Sequence, residues 1–238
     1  MAEWFQSWFG TEYLDLYPHR DERDAERLIV LLRRTLPWQD AWRVLDVACG
    51  PGRHMRALEQ AGARVFGFDL SRALLNRAQS VTGRPLVRAD MRCLPFRAGS
   101  MDLTVNLFTS FGYFATDAAH AAALGGMLGT VRPGGWFVLD FLHAGAVRST
   151  LVADEMQQLG GADIQVRREI IDQGRVVRKT MLLPDGRQFE ERVRLFTEGE
   201  LVAMIESHGA RVTSRFGDYD GAPLGDGPRV ILLAQVLT

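Results

Sequence analysis

The chain has 238 residues, enough for one α/β domain with a sizeable core, and its 28 basic and 29 acidic residues leave a net charge of −1. That balance excludes the electrostatic footprint of a nucleic-acid binder, so no nucleic-acid partner is expected. Two cysteines without a Cys-x-x-Cys pair exclude a disulfide scaffold and a thiolate zinc site; no metal is expected, and the natural setting is a reducing cytoplasm.

The N-terminal segment is aromatic (Trp4, Phe5, Trp8, Phe9), but acidic residues soon interrupt it and no apolar run follows. It reads as neither a signal peptide nor a membrane span. Over residues 21–36, Ala25, Leu28, Leu31 and Leu32 recur at helical spacing, with Asp21 as N-cap and Pro37 as stop. Residues 1–36 are taken as a helical cap on a single domain spanning residues 1–238.

A strand–helix alternation then begins. Strands are expected at residues 43–48, 64–69, 86–89, 102–107 and 136–141, with a helix capped by Ser71 and an Ala-rich helix over 117–131. Residues 132–135 read as a turn. This rhythm implies a parallel, doubly wound sheet. Between residues 163 and 195 the pattern switches to period two around a Pro184-Asp185-Gly186 turn, the mark of an antiparallel insertion of two or three strands. Its Arg167, Arg168, Arg175, Arg178 and Lys179 fit a strand with one wet face. Thr197 and Glu200 form a capping box ahead of a helix, and strands near 211–216 and 230–236 follow.

The chemistry concentrates in Asp46-Val47-Ala48-Cys49-Gly50-Pro51-Gly52-Arg53-His54. Gly50 and Gly52 remove Cβ atoms from a turn between a strand and a helix N-terminus, the geometry of nucleotide binding at a sheet edge. A dinucleotide fingerprint needs a third glycine where Met55 stands, and a carboxylate at Asp46 would repel a pyrophosphate but suits a cationic group. Asp69 ends the second strand, where an acid can accept from ribose hydroxyls. Asp90 and Met91 end the third, where they could meet an adenine amino group and ring. Singly, Asp46 could be a core acid, Asp69 a helix cap and Asp90 a turn former. Together they occupy the ends of successive strands, within reach of one ligand.

Segments 44–54, 65–71, 89–96 and 128–140 resemble, in order, the motifs of the class I S-adenosylmethionine-dependent methyltransferases. The resemblance implies a Rossmann-like, doubly wound α/β sheet of seven strands with the last antiparallel, and S-adenosyl-L-methionine as cofactor. It implies that Asp46, Gly50 and Gly52 meet the methionyl end, Asp69 the ribose, Asp90 and Met91 the adenine, that Leu107 lies near the sulfonium, and that Ala48 and Leu70 also touch the cofactor. Pro51 departs from the Thr or Ser frequent in the family. The segment 106–114, the aromatic N-terminus and the late insertion are also similar to bacterial small-molecule methyltransferases, including amino-sugar N-methyltransferases. In that group the N-terminal segment folds over the cofactor, which makes Tyr13, Tyr17 and Arg20 candidates for closing the site, with Arg20 or Arg53 near the methionyl carboxylate.

Methyl transfer from a sulfonium needs a base only if the acceptor arrives protonated. The candidates are Tyr113, after the fourth strand, and His143, after the fifth. The expected partner is a small-molecule acceptor with no membrane involvement, and the insertion would serve as a substrate lid or a homodimer surface. A nicotinamide-dependent oxidoreductase and a non-catalytic cofactor-binding subunit are the alternatives.

Overall fold

The computed structural model describes residues 3–17, 22–84 and 86–238. Two short helices, α1 (Trp4–Trp8) and α2 (Thr11–Leu16), precede α3 (Glu22–Thr35). Helix α3 buries Ala25, Leu28, Ile29, Leu31 and Leu32, and Arg33 and Arg34 in its last turn complement the helix dipole. Asp21 and Arg20 lie outside the described residues.

The alternation that follows runs β1 (Arg43–Val47), α4 (Arg53–Gln60), β2 (Arg64–Asp69), α5 (Arg72–Thr82), β3 (Val87–Arg88), β4 (Met101–Asn106), α6 (Asp117–Thr130) and β5 (Val131–Leu142). Helix α7 (Ala144–Thr150) leads to the strands β6 (Asp154–Leu159), β7 (Ala162–Ile171), β8 (Val176–Leu182) and β9 (Gln188–Arg194). The chain ends with α8 (Glu198–Glu206), β10 (Ala210–Phe216) and β11 (Arg229–Val236).

Seven strands form the main sheet in the order β10-β11-β5-β4-β1-β2-β3. Its β5-to-β3 stretch is parallel, and β11 runs antiparallel to both β5 and β10. The interior strands are apolar on both faces because helices cover both. Val44, Leu103, Val105, Ile231 and Leu233 pack with α3 and α4, whereas Leu45, Val47, Phe137, Leu139 and Leu232 pack with α6 and α8. Neighbouring residues of one strand thus enter opposite cores. The strand order reverses between β1 and β4, opening a crevice at their carboxyl ends.

Three local expectations need correction. The insertion starts at β6, before residue 163, and is a four-stranded antiparallel sheet in the order β6-β7-β8-β9. Strand β6 (Asp-Glu-Met-Gln-Gln-Leu) is too polar to announce itself by hydrophobic alternation; its pairing with β7 defines it. Residues 132–135 form no chain reversal but belong to β5, whose register against β4 shifts there. A Cβ on Gly135 would lie 2.7 Å from Val131 Cγ1 and 2.9 Å from the Asp102 carbonyl oxygen, so only glycine passes. Helix α7 had no counterpart in the sequence reading.

The N-terminal helices dock against the insertion. Trp8, Tyr13 and Leu16 share a core with Ile164, Val166, Met181 and Leu183, and with Leu74 of α5. The result is a roof over the crevice. Among the described residues no helix is long and apolar enough to cross a membrane.

Candidate active site

Beneath this roof lies a cavity of about 410 Å³. Its floor is the carboxyl edge of the sheet, with Asp46, Ala48 and Gly50 after β1, Asp69 and Leu70 after β2, Asp90 and Met91 after β3, and Leu107 after β4. Tyr13 and Tyr113 also line it. Most of the residues expected at the site therefore surround one space. Gly52, Tyr17 and His143 do not line it.

The glycine turn divides its tasks. At Gly50, with φ +55°, a Cβ would meet no protein atom within 4 Å, so this residue keeps the cavity side of the turn open. At Gly52, with φ +89°, a Cβ would sit 3.1 Å from Ala78 Cα and Cβ, so this residue lets α4 approach α5. Ala48 is also left-handed, at φ 56°, an uncommon conformation for a residue with a Cβ. Met55, at the position of the missing third glycine, is fully buried with its side chain against Gly67.

Asp46 is buried, and its Oδ2 has no hydrogen-bond partner among the described residues. Burial, together with Asp69 nearby, pushes its carboxyl up to about 8 despite Arg53. An orphaned carboxylate on the floor of a cavity is a receptor for a cationic donor such as an ammonium group. Asp69 accepts from Gly50 N–H at 3.0 Å and Ser71 N–H at 2.8 Å. Burial raises its pKa, and those backbone donors oppose the rise. They hold the carboxylate in place while lone pairs remain for hydroxyl donors. Asp90 is engaged by Arg92, whose hydrogen bonds hold the Asp90 carboxyl below its usual range. The same guanidinium pairs with Glu3 at 2.7 Å, which ties the start of the roof to the rim of the site.

Phe108, Thr109, Asp140, Tyr219 and Arg229, none of them a candidate on the sequence alone, complete the site around Arg53. Phe108 and Thr109 are consecutive left-handed residues at φ 55° and 62°, both lining the cavity. Asp140, wholly buried in β5, holds this turn: its Oδ2 accepts from Phe108 N–H at 2.8 Å and its carbonyl from Thr109 N–H at 2.9 Å. Arg229 Nη2 pairs with Asp140 Oδ1 at 2.7 Å, and Tyr219 Oη donates to Oδ2 at 2.9 Å. Arg53 lies over the Phe108 ring, 4.0 Å from its centroid. An aspartate inside the apolar run Trp-Phe-Val-Leu-Asp-Phe was the available signal, because a buried acid requires partners.

The insertion supplies the remaining wall through Arg168, Val177, Lys179, Glu191 and Val193. Two of the basic residues read as a wet strand face therefore point inward. Tyr113 Oη donates to the Thr109 carbonyl at 2.6 Å, and its ring packs on Trp4 with centroids 4.9 Å apart. His54 lines the cavity, but burial, then Arg53 and Arg229, keep its pKa well below the usual value, so it is neutral. His143 is the N-cap of α7, its Nδ1 accepting from Ala146 N–H at 3.1 Å. Replacement of His143 by Ala is therefore expected to cost about 0.5–2 kcal/mol of stability and to leave kcat unchanged. A large fall in kcat with the melting temperature intact would return His143 to a catalytic role.

Fold and site together define a doubly wound α/β protein with an acid-lined cavity at its topological switch point. Comparison with known proteins narrows the class. Residues 44–135 match a methyltransferase domain. The chain is 30% identical over 220 residues, 83% of the relative's length, to dTDP-4-amino-2,3,4,6-tetradeoxy-D-glucose N,N-dimethyltransferase of Saccharopolyspora spinosa, and 86% of the chain is covered. It is 27% identical over 225 residues to dTDP-3-amino-3,4,6-trideoxy-alpha-D-glucopyranose N,N-dimethyltransferase of Streptomyces venezuelae, covering 86% of the chain and 87% of the relative. Among solved structures, an S-adenosylmethionine-bound amino pentose methyltransferase from Micromonospora echinaspora superposes with a TM-score of 0.67 at 25% identity, covering 94% of this chain and 96% of that one. The chain belongs to the class I S-adenosylmethionine-dependent methyltransferases. It is an enzyme of methyl transfer, and its cofactor is S-adenosylmethionine.

Proposed function

We propose that the acceptor is the amino group of a small, sugar-like molecule, methylated on nitrogen. Similarity to two amino-sugar N,N-dimethyltransferases over more than four-fifths of their length supports this reading. The observation that carries the cofactor assignment is the orphaned Asp46 Oδ2 on the cavity floor, beside a glycine whose missing Cβ leaves the space open.

Asp46 would receive the methionyl ammonium, with Arg53 close to the carboxylate. Asp69 and Leu70 would meet the ribose, Asp90 and Met91 the adenine, and Leu107 the apolar surroundings of the sulfur. S-adenosylmethionine supplies a methyl group on a sulfonium, which an acceptor lone pair displaces in line. The protein's share is orientation and exclusion of water, worth roughly 7–11 kcal/mol in favourable cases. Trp4, Phe9, Tyr13 and Tyr113 line the cavity as aromatic walls and would keep water from the reacting pair. Tyr113 would face the acceptor.

Calorimetric titration with S-adenosylhomocysteine, with NAD as control, comes first, followed by labelled methyl transfer to dTDP-linked amino sugars. Binding of the former alone, and label on the sugar nitrogen, are the expected results. Retention of label by the cofactor across amine acceptors would refute the amine assignment. Asp69→Ala is expected to weaken S-adenosylhomocysteine binding roughly 10- to 150-fold, given about 1.5–3 kcal/mol for a hydrogen bond to a charged group. Unchanged affinity in that variant would remove Asp69 from the ribose.

A further inference from the structure

Lys179 and Glu191 stand directly opposite each other on β8 and β9, and both line the cavity. Opposite charges facing across a strand pair attract, and these two form an ion pair without a short hydrogen bond between them. Nζ and Oε2 lie 3.7 Å from each other. Their short hydrogen bonds go to neutral partners on the roof. Lys179 Nζ donates to Tyr17 Oη at 2.6 Å, and Glu191 Oε1 accepts from Trp8 Nε1 at 2.6 Å. Their side chains are only 17% and 19% exposed.

A cation and an anion are thus held side by side, oriented from behind by α1 and the end of α2. Both keep hydrogen-bonding capacity, because an ammonium has three donors and a carboxylate about four acceptor positions. Three other charges on the cavity wall are matched by partners outside it: Arg168 by Glu155 at 2.6 Å, Arg229 by Asp140, and Asp90 by Arg92. A lone ammonium approaching Glu191 would meet the like charge of Lys179. A lone hydroxyl would use only one member of the pair. Two polar groups on adjacent carbons satisfy both.

We propose that Lys179 and Glu191 read the acceptor, Glu191 accepting from its amine and Lys179 donating to an oxygen on the neighbouring carbon. The site then selects amines that carry such an oxygen. This rests on the amine reading above and narrows it to a substrate class. A pair that merely fastened the roof would not discriminate between ligands.

The test measures binding of trans-2-aminocyclohexanol, cyclohexylamine and cyclohexanol to the full-length protein by saturation-transfer NMR, after titration with S-adenosylhomocysteine. The wild type is expected to prefer the amino alcohol by about tenfold or more over each single-group analogue, because a site built to hydrogen-bond a group rejects ligands lacking it. Glu191→Gln keeps an acceptor for Trp8 and loses the preference over cyclohexanol. Lys179→Met loses the preference over cyclohexylamine. Both variants bind S-adenosylhomocysteine as the wild type does. Equal binding of the three probes, binding of none, or variants that keep the wild-type preferences would overturn the proposal. Failure of the S-adenosylhomocysteine titration is a separate result that overturns the cofactor site, and the probes are then compared on the free protein. If a variant does not fold, the wild-type preferences alone decide.

Discussion

Asp46→Asn is expected to weaken S-adenosylhomocysteine binding by at least about 30-fold, since losing one partner of a buried charge pair costs roughly 2–5 kcal/mol. The pH behaviour makes the assignment sharper. With its carboxyl pushed up to about 8, first by burial and then by Asp69, the free protein holds Asp46 protonated at pH 7. An ammonium received there requires the ionised form, so binding at pH 7 releases roughly one proton. Calorimetry in phosphate and in Tris reads that proton as a buffer-dependent heat, and the dependence disappears in Asp46→Asn. Identical heats in both buffers for the wild type would place the ammonium elsewhere.

The same group affects stability with a definite sign. Its contribution is fully present below the ordinary carboxyl value of 3.8 and is lost as pH rises through about 8, because the unfolded chain ionises first. Over that window the free wild type loses at most about 6 kcal/mol relative to Asp46→Asn, at 1.36 kcal/mol per pH unit. Denaturant unfolding of both proteins at pH 5 and pH 8, without cofactor, checks the trend.

Arg229→Met is expected to be the most damaging single substitution away from the glycine turn. It strands the carboxylate of Asp140, which is 0% exposed, and an uncompensated buried charge costs about 3–5 kcal/mol. At about 2–4 °C per kcal/mol for a chain of this size, the melting temperature falls by roughly 6–20 °C. Cofactor affinity falls with it, because Asp140 holds the left-handed Phe108–Thr109 turn at the cavity wall. The double variant Asp140→Leu with Arg229→Met removes both charges and should recover much of the stability but not the turn. Thermal unfolding and S-adenosylhomocysteine titration of the wild type and both variants separate the two effects; an Arg229→Met protein that melts with the wild type would show the pair to be dispensable.

The main sheet was legible because its determinants are local. Apolar runs such as Val44 to Val47 are continuous where helices cover both faces, and Ser71 and Thr197 announce helix starts through their own side chains. Asp46, Gly50, Asp69 and Asp90 were legible as a set because each ends a strand, and parallel strands bring their ends to one edge. Strand β6 was not, since its polar sequence becomes a strand only by pairing with β7. The register shift of β5 against β4 at Gly135 likewise depends on the Asp102 carbonyl of the neighbouring strand.

What the amino-acid sequence determined by itself was the fold class and the acids of the cavity floor, each set by the local pattern of its own strand and turn, and the cofactor, through the resemblance those motifs carry. The tertiary structure alone decided the rest. It turned His143 into a helix cap, assigned Gly52 to helix packing, and joined Asp140 to an arginine 89 residues away. It also brought Trp8 and Tyr17 against Glu191 and Lys179, partners separated by 183 and 162 residues. Contacts of that range arise when apolar faces of distant elements bury one another, and no local spacing encodes which charged groups the burial brings together.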